Sequence, residues 1–194
     1  PYTFEDQHQY LGWQVRDRIM EFLDEALADN TIKLDVFAYD LNEPVIIQKF
    51  ITLAEQGRLR IILDNTSLHT GSNDFETKFD ALFKEKAKDK SAILRGHFQG
   101  LAHSKVFIQR KNDANGKAIK VLTGSTNFAT NGLYINANHV IIFNNENVAR
   151  WYADVFDTSF GQDLIRNFKQ TQLAAGDFVN TGNNLPDMTI RFSP

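Results

Sequence analysis

The sequence predicts an α/β fold, a mixed β-sheet with helices on both faces. Three observations carry this expectation. Short aliphatic and aromatic runs of strand length alternate with stretches whose apolar residues recur at helical spacing. Two alternating segments, residues 102–110 and 118–125, flank a polar loop from Lys111 to Lys117 and so predict an antiparallel hairpin, whereas strand–helix–strand order earlier in the chain predicts parallel pairing. With 194 residues and 42% apolar content, the chain can bury one core of ordinary size.

Taken in order, residues 11–28 place Val15, Ile19, Phe22, Leu23 and Ala26 on one helical face. Residues 31–39 read as a buried strand. Asn42, Glu43 and Pro44 open a second helix running through Phe50 and Ala54, and residues 58–64 form the next strand. A helix over 73–87 carries Phe75, Phe79, Leu82 and Phe83, and its mixed-charge end, Lys84 to Lys90, is a solvated face. A short strand at 92–94 precedes the hairpin. A closing strand over 137–143 leads into a helix over 146–156, with Val148, Trp151, Tyr152 and Val155 on one face. Most of the sixteen phenylalanines fall at core spacings.

The chemistry is concentrated in the hairpin. Strand alternation over Ala102 to Arg110 puts His103 and Lys105 on one face, about 6.5 Å apart along the chain, within reach of one phosphate. A neutral imidazole can attack phosphorus and hold it as a phosphohistidine, while the Lys105 ammonium and the Asn127 amide donate to the non-bridging oxygens as charge builds. Neither step calls for a metal or another cofactor, and no spacing of His, Asp and Glu matches a zinc or calcium site. Gly124 and Ser125 form the turn that brings backbone N–H groups and Asn127 beside His103.

His-x-Lys followed by Gly124-Ser125-Thr126-Asn127 resembles the paired motif of the phospholipase D superfamily. The similarity extends over roughly residues 10–160, including the strand–helix–strand unit from Ile32 to Asp64 and the closing strand and helix. The resemblance implies a phospholipase D-like lobe and a metal-independent phosphodiesterase or phosphatidyl transferase. It implies His103, Lys105 and Asn127 as catalytic residues, with Gly124, Ser125, Asn138 and His97 lining the substrate. Two positions depart from the family pattern. Its Asp falls at Arg110, on the face opposite His103, with Asp113 the candidate substitute; the acid that orients an imidazole falls at Asn138, whose amide oxygen is a weaker partner for imidazolium than a carboxylate. Of the other histidines, His69 is a candidate for the substrate mouth, His139 reads as structural and His8 as solvated.

A net charge of −3 argues against a broad basic face for duplex nucleic acid. Lys105, Arg110, Lys111, Lys117 and Lys120 instead suggest local attraction for a single phosphate; the resemblance implies a phospholipid as the expected substrate, with nucleic acid the lesser one. Absence of cysteine excludes disulfides and leaves the compartment open. The expected organisation is a catalytic lobe over 1–169, a Gly/Asn-rich linker over 170–187, and from 188 to 194 the start of a second lobe, since Phe192-Ser193-Pro194 resembles the opening of the second half in two-lobed members. The partner implied is that second lobe or a symmetric copy. The alternatives are a nuclease working as a dimer of one-motif chains and a lobe that binds phosphate without catalysis.

Overall fold

The computed structural model describes residues 6–7, 13–161, 165–182 and 185–193; His8 and Pro194 lie outside them. Six strands form one mixed sheet, β1 (Ile32–Ala38), β2 (Leu59–Leu63), β3 (Ala92–Arg95), β4 (Val106–Lys111), β5 (Ala118–Gly124) and β6 (Val140–Phe143). Their spatial order is β3-β2-β1-β4-β5-β6, with β1, β2 and β3 mutually parallel and β4, β5 and β6 antiparallel. The predicted hairpin is β4–β5, and the predicted mixed sheet is the one observed.

Strand alternation divides two cores. Leu34, Val36, Ile61 and Phe107 face α1 (Gln14–Ala28), α2 (Pro44–Glu55) and α3 (Phe75–Ala87), where Ile19, Phe22, Leu23, Phe50 and Phe83 complete an interior without solvent contact. Phe37, Ile62, Ile108 and Val121 face the other way, onto Val148, Ala149 and Phe156 of α5 (Glu146–Gly161). The aromatic rings meet edge-on or stacked, as with Phe37 and Phe156 at 5.1 Å and Phe107 and Phe128 at 4.3 Å. Among the described residues no helix is long and apolar enough to cross a membrane.

Local signals explain the boundaries. Glu43 caps α2 by accepting from Ile46 N–H at 2.7 Å, and Pro44 occupies the first turn, where no N–H is required. α3 ends at Lys88 in the left-handed region, φ 47°, with its N–H on Lys84 C=O. Arg58, nearly buried, donates to the carbonyls of Ala26, Asp29 and Ile32, tying the α1–β1 turn to the head of β2.

Three features differ from the sequence expectation. β4 begins at Val106, so His103 and Lys105 precede the strand instead of belonging to it. The ladder stops there because β1 offers no partner beyond Phe37↔Val106, and Ala102 N–H goes to the Asp64 carboxylate instead. A five-residue helix α4 (Thr130–Tyr134) is too short to leave a periodic signature. A 3-10 turn (Ile165–Gln170) leads into the segment read as a linker, which carries the short helix α6 (Gln172–Ala175) and β7 (Asp177–Asn180), and β7 pairs antiparallel with β8 (Met188–Arg191). Phe178 packs on Trp151 and Phe192 on Tyr152, so this hairpin rests on α5.

Candidate active site

One end of the sheet gathers the carboxyl ends of β1, β2 and β3, the start of β4, the end of β5 and the approach to β6. At such an end, loops leave the sheet with their polar groups aimed into a shared opening. Tyr39, the residue after β1, lies at its centre. The His103 ring meets the Tyr39 ring edge-on at 4.5 Å, His69 meets it at 4.6 Å, and Lys105 Nζ sits 4.9 Å from the same ring centroid. His103 and Lys105 therefore converge on one aromatic ring, although they are not strand neighbours. Lys105 Nζ also donates to His103 C=O at 2.6 Å, which fixes the bend of the segment.

Exposure and charge separate the two. His103 is open to solvent, whereas Lys105 is only 4% exposed. Desolvation brings the Lys105 ammonium down to about 8, against the opposing pull of Asp40 and Asp64. Desolvation and then the Lys105 charge push the His103 imidazole below its ordinary value, again opposed by the same two carboxylates. An imidazole held neutral beside an ammonium is the pairing a phosphorus nucleophile needs.

Asp64, fully buried just past β2, organises the floor. Its Oδ1 accepts Ala102 N–H at 2.7 Å; its Oδ2 accepts Thr66 N–H and Oγ1–H, and His69 Nδ1 lies 2.8 Å away. Burial opposes ionisation of Asp64, but these hydrogen bonds outweigh it and hold the carboxyl below the usual range. His69 Nε2 lies 3.4 Å from Asp40 Oδ1, and Asp40 Oδ2 accepts from Asn127 Nδ2 at 3.1 Å. A chain of contacts thus runs Asp64, His69, Asp40, Asn127. Arg95, at the end of β3, holds the intervening loop by donating to the carbonyls of Asp64, His69 and Glu76.

Of the remaining predicted site residues, Gly124, Ser125 and Asn138 meet one another at the end of β5. Gly124 is where β5 meets the approach to β6 most closely: a Cβ there would stand 2.1 Å from His139 C=O. Ser125 donates from Oγ to Asn138 Oδ1 and accepts His139 N–H, and Asn138 Nδ2 donates to Gly132 C=O. Asn138 is thus occupied at both ends of its amide by Ser125 and Gly132. His97 turns its Nδ1 onto the carbonyl of Phe98, 2.6 Å away. Asp113 cannot replace the missing Asp, because it caps the β4–β5 turn by accepting from Asn115 and Gly116 N–H at the opposite end of β4. The expected basic cluster also dissolves. Arg110 pairs with Asp35 and Asp157, Lys117 with Glu146 and Lys120 with Glu25, leaving Lys105 as the lysine at the Tyr39 ring.

Tyr39, Asp40, Asp64 and Arg95 were missed by motif reading. Their common signal is position: each stands at or just past the carboxyl end of a parallel strand. Asp40, His69 and Glu76, from three separate segments, also bring potential metal-ligand atoms within 4.8 Å of one another, a grouping no local spacing could reveal. Glu76 is already engaged by Leu41 N–H. A cleft of about 260 Å³, lined by Ser104, Lys105, Thr123, Gly124, Tyr152 and Phe192, opens beside the site. Larger depressions of about 770 and 470 Å³ lie at the other end of the sheet around Arg58 and Arg110, away from His103.

The family model described as "Cardiolipin synthase, PLD-like domain" matches residues 21–160. The chain belongs to the phospholipase D-like family. Solved structures agree on the fold of this PLD-like domain. Nuc from Salmonella typhimurium, a phospholipase D family member, is 19% identical with a TM-score of 0.55, over 74% of this chain and 87% of that one. NucT from Helicobacter pylori is 16% identical with a TM-score of 0.62, over 78% and 92%. Polyphosphate kinase from Porphyromonas gingivalis is 15% identical with a TM-score of 0.61, over 77% of this chain and 25% of that one. No match is found among curated protein sequences.

Proposed function

We propose that this PLD-like domain hydrolyses phosphodiesters, with a phospholipid as substrate, through a covalent phosphohistidine on His103. The observation that carries the reading is the convergence of an exposed imidazole and a buried ammonium on the Tyr39 ring. A neutral His103 nitrogen attacks phosphorus as the bond to the leaving oxygen breaks, and that oxygen takes a proton from a second imidazolium on the far side. The second imidazole then removes a proton from water; the water oxygen attacks phosphorus, the N–P bond breaks, and His103 is regenerated. Lys105 and the free N–H of Asn127 offset the charge on the non-bridging oxygens.

In-line geometry requires that second histidine, and His69 does not supply it. It is 5% exposed, with a carboxylate at each ring nitrogen. The other half-site therefore comes from a second lobe or a second copy of the chain. Two features favour a lipid. Of the basic residues grouped with Lys105 in the sequence, Arg110, Lys117 and Lys120 are each paired with a carboxylate, which thins the local positive charge a polyanion would track. Apolar side chains lie exposed next to the site residues in sequence, Leu101 at 42% and Leu68 at 67%. Nucleic acid is the second reading, supported by extent: the fold shared with Nuc and NucT takes in 87% and 92% of those chains, about one copy each.

The test compares turnover of phosphatidylglycerol vesicles with that of a single-stranded oligonucleotide, in chelator. Hydrolysis of the vesicles by the native protein, absent in His103→Ala, is the expected result, together with an alkali-stable, acid-labile phosphoprotein on denaturation during turnover. Cleavage of the oligonucleotide alone would move the assignment to the second reading. Turnover that chelator abolishes and zinc restores would overturn the mechanism.

A further inference from the structure

Asn138 stands where the family pattern has an acid, and its amide is engaged by Ser125 and Gly132. The site nevertheless holds a carboxylate from another element. We propose that Asp40, locked in place by the Asp64–His69 pair, is the residue that positions Asn127 for the transition state, and that His69 acts solely as its brace. This inference rests on the phosphodiesterase reading above.

The geometry for it is continuous. Asn127 uses one amide N–H on Asp40 Oδ2, which fixes the amide plane and leaves the second N–H to face a phosphate oxygen. Its Oδ1 is buried without a hydrogen-bond partner, so the side chain has no competing anchor through that atom. Asp40 is itself 37% exposed in its side chain and would sample other rotamers if unheld. His69 prevents this from the buried side. Its Nε2 faces Asp40 Oδ1, its Nδ1 is fixed by Asp64, its ring edge abuts Tyr39, and its carbonyl is held by Arg95. The pattern of a buried carboxylate orienting an imidazole that in turn orients a working group is the outer-shell logic seen at metal and triad sites.

Asp40 has a second effect, through charge. Together with Asp64 it supports protonation of Lys105, the cation that meets the phosphorane. The groups facing Lys105 are Asp40, Asp64, His103 and the Tyr39 ring. Removing the Asp40 charge therefore both loosens Asn127 and lowers the pH at which Lys105 loses its proton.

The experiment measures kcat, KM and the pH profile of phosphodiester hydrolysis in the complete protein carrying Asp40→Asn, His69→Ala or both. Inhibition by vanadate, which mimics the phosphorane, is measured alongside. Each single change is expected to lower kcat about tenfold or more and to weaken vanadate inhibition in parallel, with KM within about twofold, as for an interaction made in the transition state. The double variant should be no worse than the poorer single, because the two residues act through one contact chain. Asp40→Asn should also move the basic limb of the profile downward, an effect a loss of folding alone would not produce. Asp40 is partly exposed, so that variant keeps the test alive if His69→Ala fails to fold. Additive losses, an unmoved basic limb, or wild-type kcat in Asp40→Asn would overturn the proposal. Failure of His103→Ala to reduce turnover would instead sink the phosphodiesterase reading itself, so the two failures are distinguishable.

Discussion

On the mechanism proposed above, Lys105 sets an upper bound on the working pH. Its ammonium, at about 8 in the folded protein, must stay protonated to oppose the phosphorane charge, while His103 must be unprotonated to attack. Because the His103 value is depressed, its neutral form persists to lower pH than an ordinary histidine allows. The profile of kcat/KM is therefore expected to rise below the usual histidine range and to fall as pH climbs through about 8. Lys105→Arg keeps its charge there, so the fall through about 8 should disappear and leave only the limb set by the second imidazolium, even as the rate drops from misplaced geometry. A limb that stays near 8 in that variant would assign it to another group. His103→Ala should lose about 10³-fold or more, by the size of a nucleophile's ordinary contribution. At this scale His103, Lys105 and Asn127 were legible as a motif of fixed order. Asp40 and Asp64 were not, and His69 was legible only as a candidate for the substrate mouth, because the contacts among them join two segments that meet only where parallel strands end.

Among the elements, β4 was readable in type and misread in extent. Alternation of apolar residues continues through His103, but hydrogen bonding stops at Val106, where β1 ends and a carboxylate takes over the next N–H. Arg110 departs from the family pattern for a structural reason. Asp35, fully buried on β1, sits against Arg60 from β2 and Arg110 from β4, and both arginines reach Asp157 on α5. Position 110 fastens a helix to the middle of the sheet and lies at the far end of the strand from His103. Arg110→Asp would set a third carboxylate beside Asp35 and Asp157. We expect it to cost about 3–5 kcal/mol, the scale for breaking a buried ion pair. Denaturant titration would read this as a lowered midpoint with an unchanged slope. If the variant were as stable as the native protein, the ion pairs would not be fastening α5.

For the whole molecule, the α/β class, the mixed sheet and helices on both faces were readable, since each rests on repeating patterns many residues long. Of the β7–β8 hairpin, the strand from Met188 was readable and β7 was not, because β7 is four residues long and lies among polar sequence. On the proposed mechanism, one His103 per chain means half of an in-line site. Turnover per chain is expected to be near background for a monomer and to rise with the fraction of any species that brings two such sites together. Activity measured across a dilution series, with mass followed by light scattering, checks this. Full turnover by a monomer of the 194-residue chain would refute the half-site argument.

Asp64 carries a lesson for anyone wishing to move this chemistry elsewhere. One of its oxygens shapes the segment around His103 from 38 residues upstream, and the other fixes His69. Copying residues 102–127 onto a foreign sheet would transplant the side chains and leave behind the carboxylate that bends them. The smallest portable unit is the set of ends of β1, β2, β3, β4 and β5, with Asn127, together with the β2–α3 loop. A designer who grafts the hairpin alone should obtain a folded scaffold with a floppy, silent histidine, and restoring an Asp64 equivalent should be the first change that revives it.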